Sequence, residues 1–280
     1  MISVRGYEID QTKSLGKGSF GTVYKASDVS CRIKGRPHLR AIKVINVSHE
    51  RDLTEGKLLA KCRHAHVIRC FEQFTEPCPR TRRKQLLYIV MDFATRGDLC
   101  SLVEEHARKK VPFGEAEVVD YLTQMALGLH EMHKNKCLHR DLKSKNVMCF
   151  QSVEGFNKRG IVLKLGDFGL SKMLLPQDGD CAKTKCGTYS YMAPEVCSKS
   201  AKSYSYTSDV WSLGVIVFEM CQSHTGKYFA GGGLFPRGST MGHVLTFLNN
   251  QVPAPTISAD GYGESLRQLV GVMLHKRPSK

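Results

Sequence analysis

Residues 15–24 read LGKGSFGTVY, with Gly16, Gly18 and Gly21 set at G-x-G-x-x-G. Whether this loop serves a dinucleotide, serves the phosphates of a nucleoside triphosphate or merely turns a corner decides the fold. A dinucleotide site needs a helix opening at the third glycine and, about 20 residues further on, an acid for a ribose hydroxyl. Neither follows here. Thr22, Val23 and Tyr24 are strand formers, so the loop reads as a turn between two antiparallel strands that arches over a ligand. Where the acid should stand, RAIKVI (40–45) forms a short β-branched strand that carries Lys43.

Outward from this point the pattern changes once. From Tyr7 to Phe93, alternation in YEIDQTKSL, TVYKAS, RAIKVI and LLYIVMDF predicts a small antiparallel sheet. One helix is predicted at 51–63 (RDLTEGKLLAKCR), with Glu55 on its early turns and Leu58, Leu59 and Cys62 on one side. Past Gly97 helices take over. DLCSLVEEHARKK is followed by EAEVVDYLTQMALGLHEMHKN, in which Val118, Val119, Leu122, Met125, Leu129 and Met132 recur at three and four. TSDVWSLGVIVFEMCQS (207–223) is apolar almost all round, as a helix at a domain centre should be. AGGGLFPRGS (230–239) reads as a flexible loop.

The 280 residues carry 41 Lys and Arg against 26 Asp and Glu, a net charge of +15. This favours anionic partners such as nucleotides, phosphorylated segments or acidic peptides. The densest run, RTRRK (80–84), has no aromatic residue interleaved for base stacking, which argues against nucleic acid. Eleven scattered cysteines form no C-x-x-C pair, so they read as reduced thiols. The N-terminus has no signal-peptide apolar stretch, and no run is long enough to span a bilayer. A soluble, cytoplasmic protein without membrane partners is expected.

Two acidic turns carry the chemistry. CLHRDLKSKNVMCF (137–150) lies between the long helices, and LKLGDFGLSK (163–172) places Asp167 26 residues after Asp141. Asp167 and Asn146 are hard oxygen ligands of the kind Mg2+ takes together with phosphate oxygens. Asp141 is then left as a base, and Lys143 can offset charge on a transferring phosphoryl group. Singly, each of these has an ordinary explanation in turn capping or ion pairing.

Taken in this order, the residues resemble the eukaryotic protein kinase family over nearly the whole chain, from Leu15 to about Ser279. The resemblance implies an α+β, bilobal protein-kinase-like fold: a small antiparallel β-sheet lobe (7–93) with one key helix, and a larger, mainly helical lobe (94–280) with its activation segment at 167–195. It implies ATP with Mg2+ or Mn2+. Leu15, Gly16, Gly18, Gly21, Val23, Ala41, Met91, Asp92, Ala94 and Met148 fall at nucleotide-binding positions, Met91 at the one gating the back of the adenine pocket. Lys43 matches the lysine that holds the α and β phosphates, with Glu55 as its partner. Asp141 matches the catalytic base, aided by Lys143, while Asn146 and Asp167 match the metal ligands. Asp209 falls where the family braces the catalytic loop, and Leu59, His139 and Phe168 where it stacks apolar side chains.

HRDLKSKN, with Lys143 after Asp141, is the form seen in Ser/Thr kinases. LYIVMDF with GDL, the glycine of KLGDFG, and AKTKCGTYSYMAPE look like the NIMA-related branch. The resemblance implies protein substrates, a monomer, and activation by another kinase or by autophosphorylation at Thr184, where a phosphate would meet Arg140; Thr188 would seat the substrate turn. Ala193-Pro194-Glu195 matches the end of the activation segment, with Arg277 as the expected partner of Glu195. The spacer before Arg277 in VMLHKRPSK is shortened, so a large lobe cut short at its C-terminal end is expected. The opposing reading is a pseudokinase scaffold. It is countered by the presence of Lys43, Asp141, Asn146 and Asp167 together. A small-molecule kinase is countered by the activation segment.

Overall fold

A computed structural model describes the chain apart from residues 19–20, 34, 48–52, 79–80, 82–83, 153–159, 171, 174–188, 198–203, 229, 237, 250–253, 259 and 277–280. The chain divides into two compact units, Met1–Thr95 and Arg96–Lys280.

The first unit contains β1 (Ile2–Val4), β2 (Tyr7–Gly18), β3 (Gly21–Ile33), β4 (Arg36–Val47), α1 (Thr54–Lys61), β5 (Cys70–Pro77) and β6 (Gln85–Asp92). Its strands form one antiparallel sheet in the order β1-β2-β3-β4-β6-β5. Alternation sorts the side chains between two faces. Tyr7, Ile9, Ala26, Ile42, Phe74, Tyr88 and Val90 form a core on one of them. The opposite face carries Val23 paired with Lys43, Lys43 with Ile89, and Ala41 with Met91.

The sheet curls until its rims touch. Arg5, in the turn after β1, donates to Glu76 at 2.7 Å and lies over the Phe74 ring. The Tyr7 hydroxyl donates to Glu72, and the Tyr7, Phe74 and Tyr88 rings stack in series.

Strands β1 and β5 are additions to the expected sheet, and α1 ends at Lys61, two residues before the predicted end at 63. The β5 stretch CFEQFTEP hides its alternation because Glu72 and Glu76 sit among the apolar residues and are held by Tyr7 and Arg5.

The second unit contains α2 (Leu99–Lys109), α3 (Glu115–Lys134), β7 (Cys137–Leu138), β8 (Val147–Gln151), β9 (Ile161–Leu165), β10 (Lys172–Met173), α4 (Pro194–Cys197), α5 (Tyr206–Gln222), α6 (Met241–Asn249) and α7 (Glu264–Met273). Helix α5 is its centre. A capping box between Ser205 and Ser208 starts it, and Trp211 and Leu213 to Cys221 are buried on every side. Helix α3 buries Val118, Tyr121, Leu122, Met125, Leu129 and Met132, whereas Val119 faces solvent. Counting at three and four from Val118 reaches Tyr121 and Leu122, so Val119 lies about 100° off the buried stripe.

The glycine tract also departs from expectation. Gly231 and Gly233 adopt φ of +79° and +63°, and the following Leu234 and Phe235 are buried, so the tract is packed. The cysteines among the described residues are free thiols, most of them buried.

Candidate active site

In the first unit the candidate nucleotide-binding residues come mainly from strand register. Gly16 and Gly18 end β2, and Gly21 and Val23 begin β3, with Gly16 opposite Val23. Gly21 has φ +147°, and a Cβ there would meet the Val44 carbonyl oxygen at 2.5 Å, so only glycine lets this hairpin close against β4. Val23, Ala41, Lys43 and Met91 share one face. Leu15 is half exposed at the end of β2. Asp92 closes β6; its N–H donates to the Arg69 carbonyl at 3.2 Å and its carboxylate accepts from the Arg69 N–H at 3.1 Å. Ala94 follows immediately.

Helix α1 covers the Lys43 face: Leu58 and Leu59 are buried, and Glu55, in its first turn, meets Lys43. The Lys43 ammonium donates to both Glu55 oxygens, at 2.8 and 2.9 Å. Both side chains are under a tenth exposed. A buried pair of this kind adds little net stability, but removing one partner strands the other charge. Its value is in geometry, because the amine is fixed at one place on the face.

In the second unit, two loops are stitched together. Strands β7 and β10 pair antiparallel, as do β8 and β9. The loop 139–146 and the turn at 166–170 therefore leave neighbouring strand ends. The Gly166 N–H donates to the Asn146 carbonyl at 2.8 Å, and His139 Nε2 lies 3.1 Å from the Gly166 carbonyl. The His139 and Phe168 rings are tilted at 5.7 Å.

Asp141 is the hub of the first loop. Lys143 donates to its Oδ2 at 2.7 Å, and the Asn146 amide donates to its carbonyl at 2.8 Å and its Oδ2 at 3.1 Å. Asn146 thus spends its NH2 on Asp141, and its other amide atom is an oxygen. Asp167, in the second loop, has an exposed carboxylate. Asn146 and Asp167 fit a hard divalent cation by donor type. Met148, two residues past Asn146, stands on β8 and bridges to Asp98.

The backbone here is bent unusually. Arg140 and Asp167 have φ of +68° and +56°, the left-handed region that non-glycine residues rarely adopt. Asp209, fully buried on α5, holds the first bend: its carboxylate accepts from the His139 N–H at 2.9 Å, the Arg140 N–H at 3.0 Å and the Tyr204 hydroxyl at 3.2 Å. His133 Nε2 lies 2.9 Å from the same carboxylate. The sequence pointed to Asp209 but not to His133 or Tyr204.

Glu195 accepts from the Ser208 hydroxyl at 2.8 Å. Its expected partner Arg277, and the expected regulatory and substrate-turn residues Thr184 and Thr188, lie outside the described residues.

The protein kinase domain family matches residues 9–280. Serine/threonine-protein kinase Nek11 of Mus musculus is 33% identical over 287 residues, covering 99% of this chain and 40% of that protein. Serine/threonine-protein kinase Nek5 of Mus musculus is 33% identical over 211 residues, 75% of this chain and 30% of that protein. For Nek1 of the same organism the figures are 32% over 272 residues, 95% and 20%. The chain therefore spans less than half the length of these relatives.

Proposed function

Because the chain belongs to the protein kinase family, we propose that it transfers the γ-phosphoryl group of ATP to serine and threonine hydroxyls of proteins. The observation that carries this reading is the cluster in which Lys143 and Asn146 both donate to Asp141. Asp141 orients the acceptor hydroxyl and takes its proton as the hydroxyl oxygen bonds to the γ-phosphorus and the bond from that phosphorus to the β,γ-bridging oxygen breaks, with ADP as the leaving group. Lys143 offsets the charge on the transferring group. Lys43, steadied by Glu55, holds the α and β phosphates, and the sheet face of Val23, Ala41 and Met91 meets the adenine. Mg2+ or Mn2+, held by Asn146 and Asp167, supplies charge neutralisation on the phosphate oxygens when bound.

The chain works as a monomer on protein substrates in the cytoplasm, without nucleic acid. Among the described residues no helix is long and apolar enough to cross a membrane. Phosphorylation of Thr184, by another kinase or by the chain itself, draws the activation segment onto Arg140 and raises activity. Thr184→Ala is expected to lower the rate; unchanged rate and substrate affinity would discard this regulation.

The deciding test is transfer of labelled phosphate from ATP to a mixed Ser/Thr protein substrate, with Asp141→Asn as control. The variant should lose roughly 10²- to 10⁴-fold in kcat while still binding ATP. An Asp141→Asn protein as fast as the parent overturns the assignment of the base. A parent protein that binds ATP but transfers nothing points to a pseudokinase scaffold.

A further inference from the structure

The core face of the first unit's sheet carries a charged cluster at the end where the candidate adenine residues stand on the opposite face. Between β5 and β6, Cys70 stands opposite Met91 and Glu72 opposite Val90, so Phe71 is one residue too many for its partner strand. Such a bulge interrupts the ladder and re-aims a side chain. The Phe71 ring turns to the core face, where it packs against the cluster that includes Tyr7, Ile42 and Val90.

Two guanidiniums meet that ring. Arg40 stands two residues before Ile42 on β4, so alternation sends it to the same face. It is 8% exposed, its guanidinium carbon lies 3.8 Å from the centre of the Phe71 ring, and its Nε has no hydrogen-bond partner among the described residues. The buried Asp28 carboxylate lies 3.7 Å from its Nη2. The guanidinium carbon of Arg69 lies 4.7 Å from the same ring centre. Burying a guanidinium that forgoes a hydrogen bond is costly. An aromatic face offsets part of that cost once water is excluded, and the bulge is what brings the ring within reach.

The remaining contacts of this cluster lead to the nucleotide face. Arg40 stands opposite Asp92 across β4 and β6, and the next pair is Ala41 with Met91. Arg69 holds Asp92 twice: its carbonyl accepts from the Asp92 N–H at 3.2 Å, and its N–H donates to the Asp92 carboxylate at 3.1 Å. We propose that the bulge at Phe71, with Arg40 and Arg69 stacked on its ring, is a positioning device that fixes the adjoining ends of β4 and β6 and so sets how tightly the adenine end of the nucleotide is held. The three side chains act through Ala41, Met91 and Asp92. The proposal rests on the ATP reading above.

Titration calorimetry of the whole chain with ATP and with adenosine tests it. Arg40→Lys keeps the charge and loses the planar group that stacks. It is expected to weaken both ligands by roughly 10-fold, the scale of a desolvated cation–π contact. The ratio of the two affinities should stay parental, because Lys43 and Glu55 still grip the phosphates; general loosening of the first unit would weaken that grip as well and shift the ratio. Phe71→Leu should act as Arg40→Lys does, whereas Phe71→Tyr, which keeps a ring, should bind as the parent. Arg69 is exposed, so Arg69→Lys tests the same ring without disturbing a buried group and should weaken adenosine by roughly threefold. Parental adenosine affinity in folded Arg40→Lys, Phe71→Leu and Arg69→Lys proteins overturns the positioning role alone, as does a Phe71→Tyr protein as weak as Phe71→Leu. A parent chain that binds neither ligand overturns the ATP reading and the positioning role with it.

Discussion

The two units hold their charged residues by opposite means. In the first, Lys43 stands on a regular strand, and alternation alone sends it to the face of Val23, Ala41 and Met91, where Glu55 meets it. In the second, Asp141 and Asp167 stand in loops bent through positive φ, and a buried carboxylate from α5 holds the first bend by its main-chain N–H groups. The first arrangement is one of side chains on a standard backbone. The second is a non-standard backbone that would relax if its acceptor were lost. One should therefore fail by stranding a charge, the other by orphaning donors.

That contrast can be broken from either side. Asp209→Ala orphans the His139 and Arg140 N–H groups and removes one partner of the Tyr204 hydroxyl. At about 1–3 kcal/mol per unsatisfied buried group, a loss of roughly 5 kcal/mol is expected in urea unfolding of the second unit. Lys43→Met takes the ammonium away from the buried Glu55 carboxylate, and should destabilise the first unit by roughly 3 kcal/mol. Adding Glu55→Leu should return most of that stability without returning ATP binding, which isothermal titration would read. If the double variant stays as unstable as the single one, the stranded-charge account is wrong.

A third buried acid sharpens the comparison through pH. Burial pushes the Glu219 carboxyl up to about 7, against the pull of Tyr191, Ser144 and the Gly231 and Gly232 N–H groups. The folded protein then keeps a proton that the unfolded chain releases above its ordinary value of 4.5. Stability from this group is full below that value and is lost as pH rises to about 7. Its titratable neighbours do not interfere in this window, because burial raises Cys100 to about 11 and Tyr191 well above its usual value. Glu219→Gln should flatten the fall in melting temperature between pH 5 and 7; an unchanged slope would show that the carboxyl titrates normally.

The smallest effect belongs to the exposed rim. Arg5→Ala removes the pair with Glu76, in which the side chains are 55% and 33% exposed, and should cost under about 1 kcal/mol, less still in high salt.

What the sequence disclosed follows the same division. Glycines, alternating strands and the HRD and DFG triplets are local signals, and they are what singles out Lys43, Asp141, Asn146 and Asp167 as candidates. Strand β5 was obscured because Glu72 and Glu76 look like surface residues until Tyr7 and Arg5 arrive from the far rim. The bend at Arg140 has no local signature, since arginine does not favour positive φ and the Asp209 carboxylate that holds it stands 69 residues away. Glu219 did leave a trace, as the lone acid in VWSLGVIVFEM, but its partners come from other segments of the unit. The glycine tract misled for a related reason: glycine signals freedom in isolation and close approach when something is pressed against it.

The meeting of the sheet's rims has a consequence for the chain's behaviour at high concentration. A strand at the margin of a sheet is a template on which a foreign chain can add another rung. Here β1 is short, and β5 is overlain by a guanidinium, two carboxylates and stacked rings. Charge and bulk at that margin make it a poor seed for intermolecular pairing, so the seam that adds least to folding stability guards most against fibril growth.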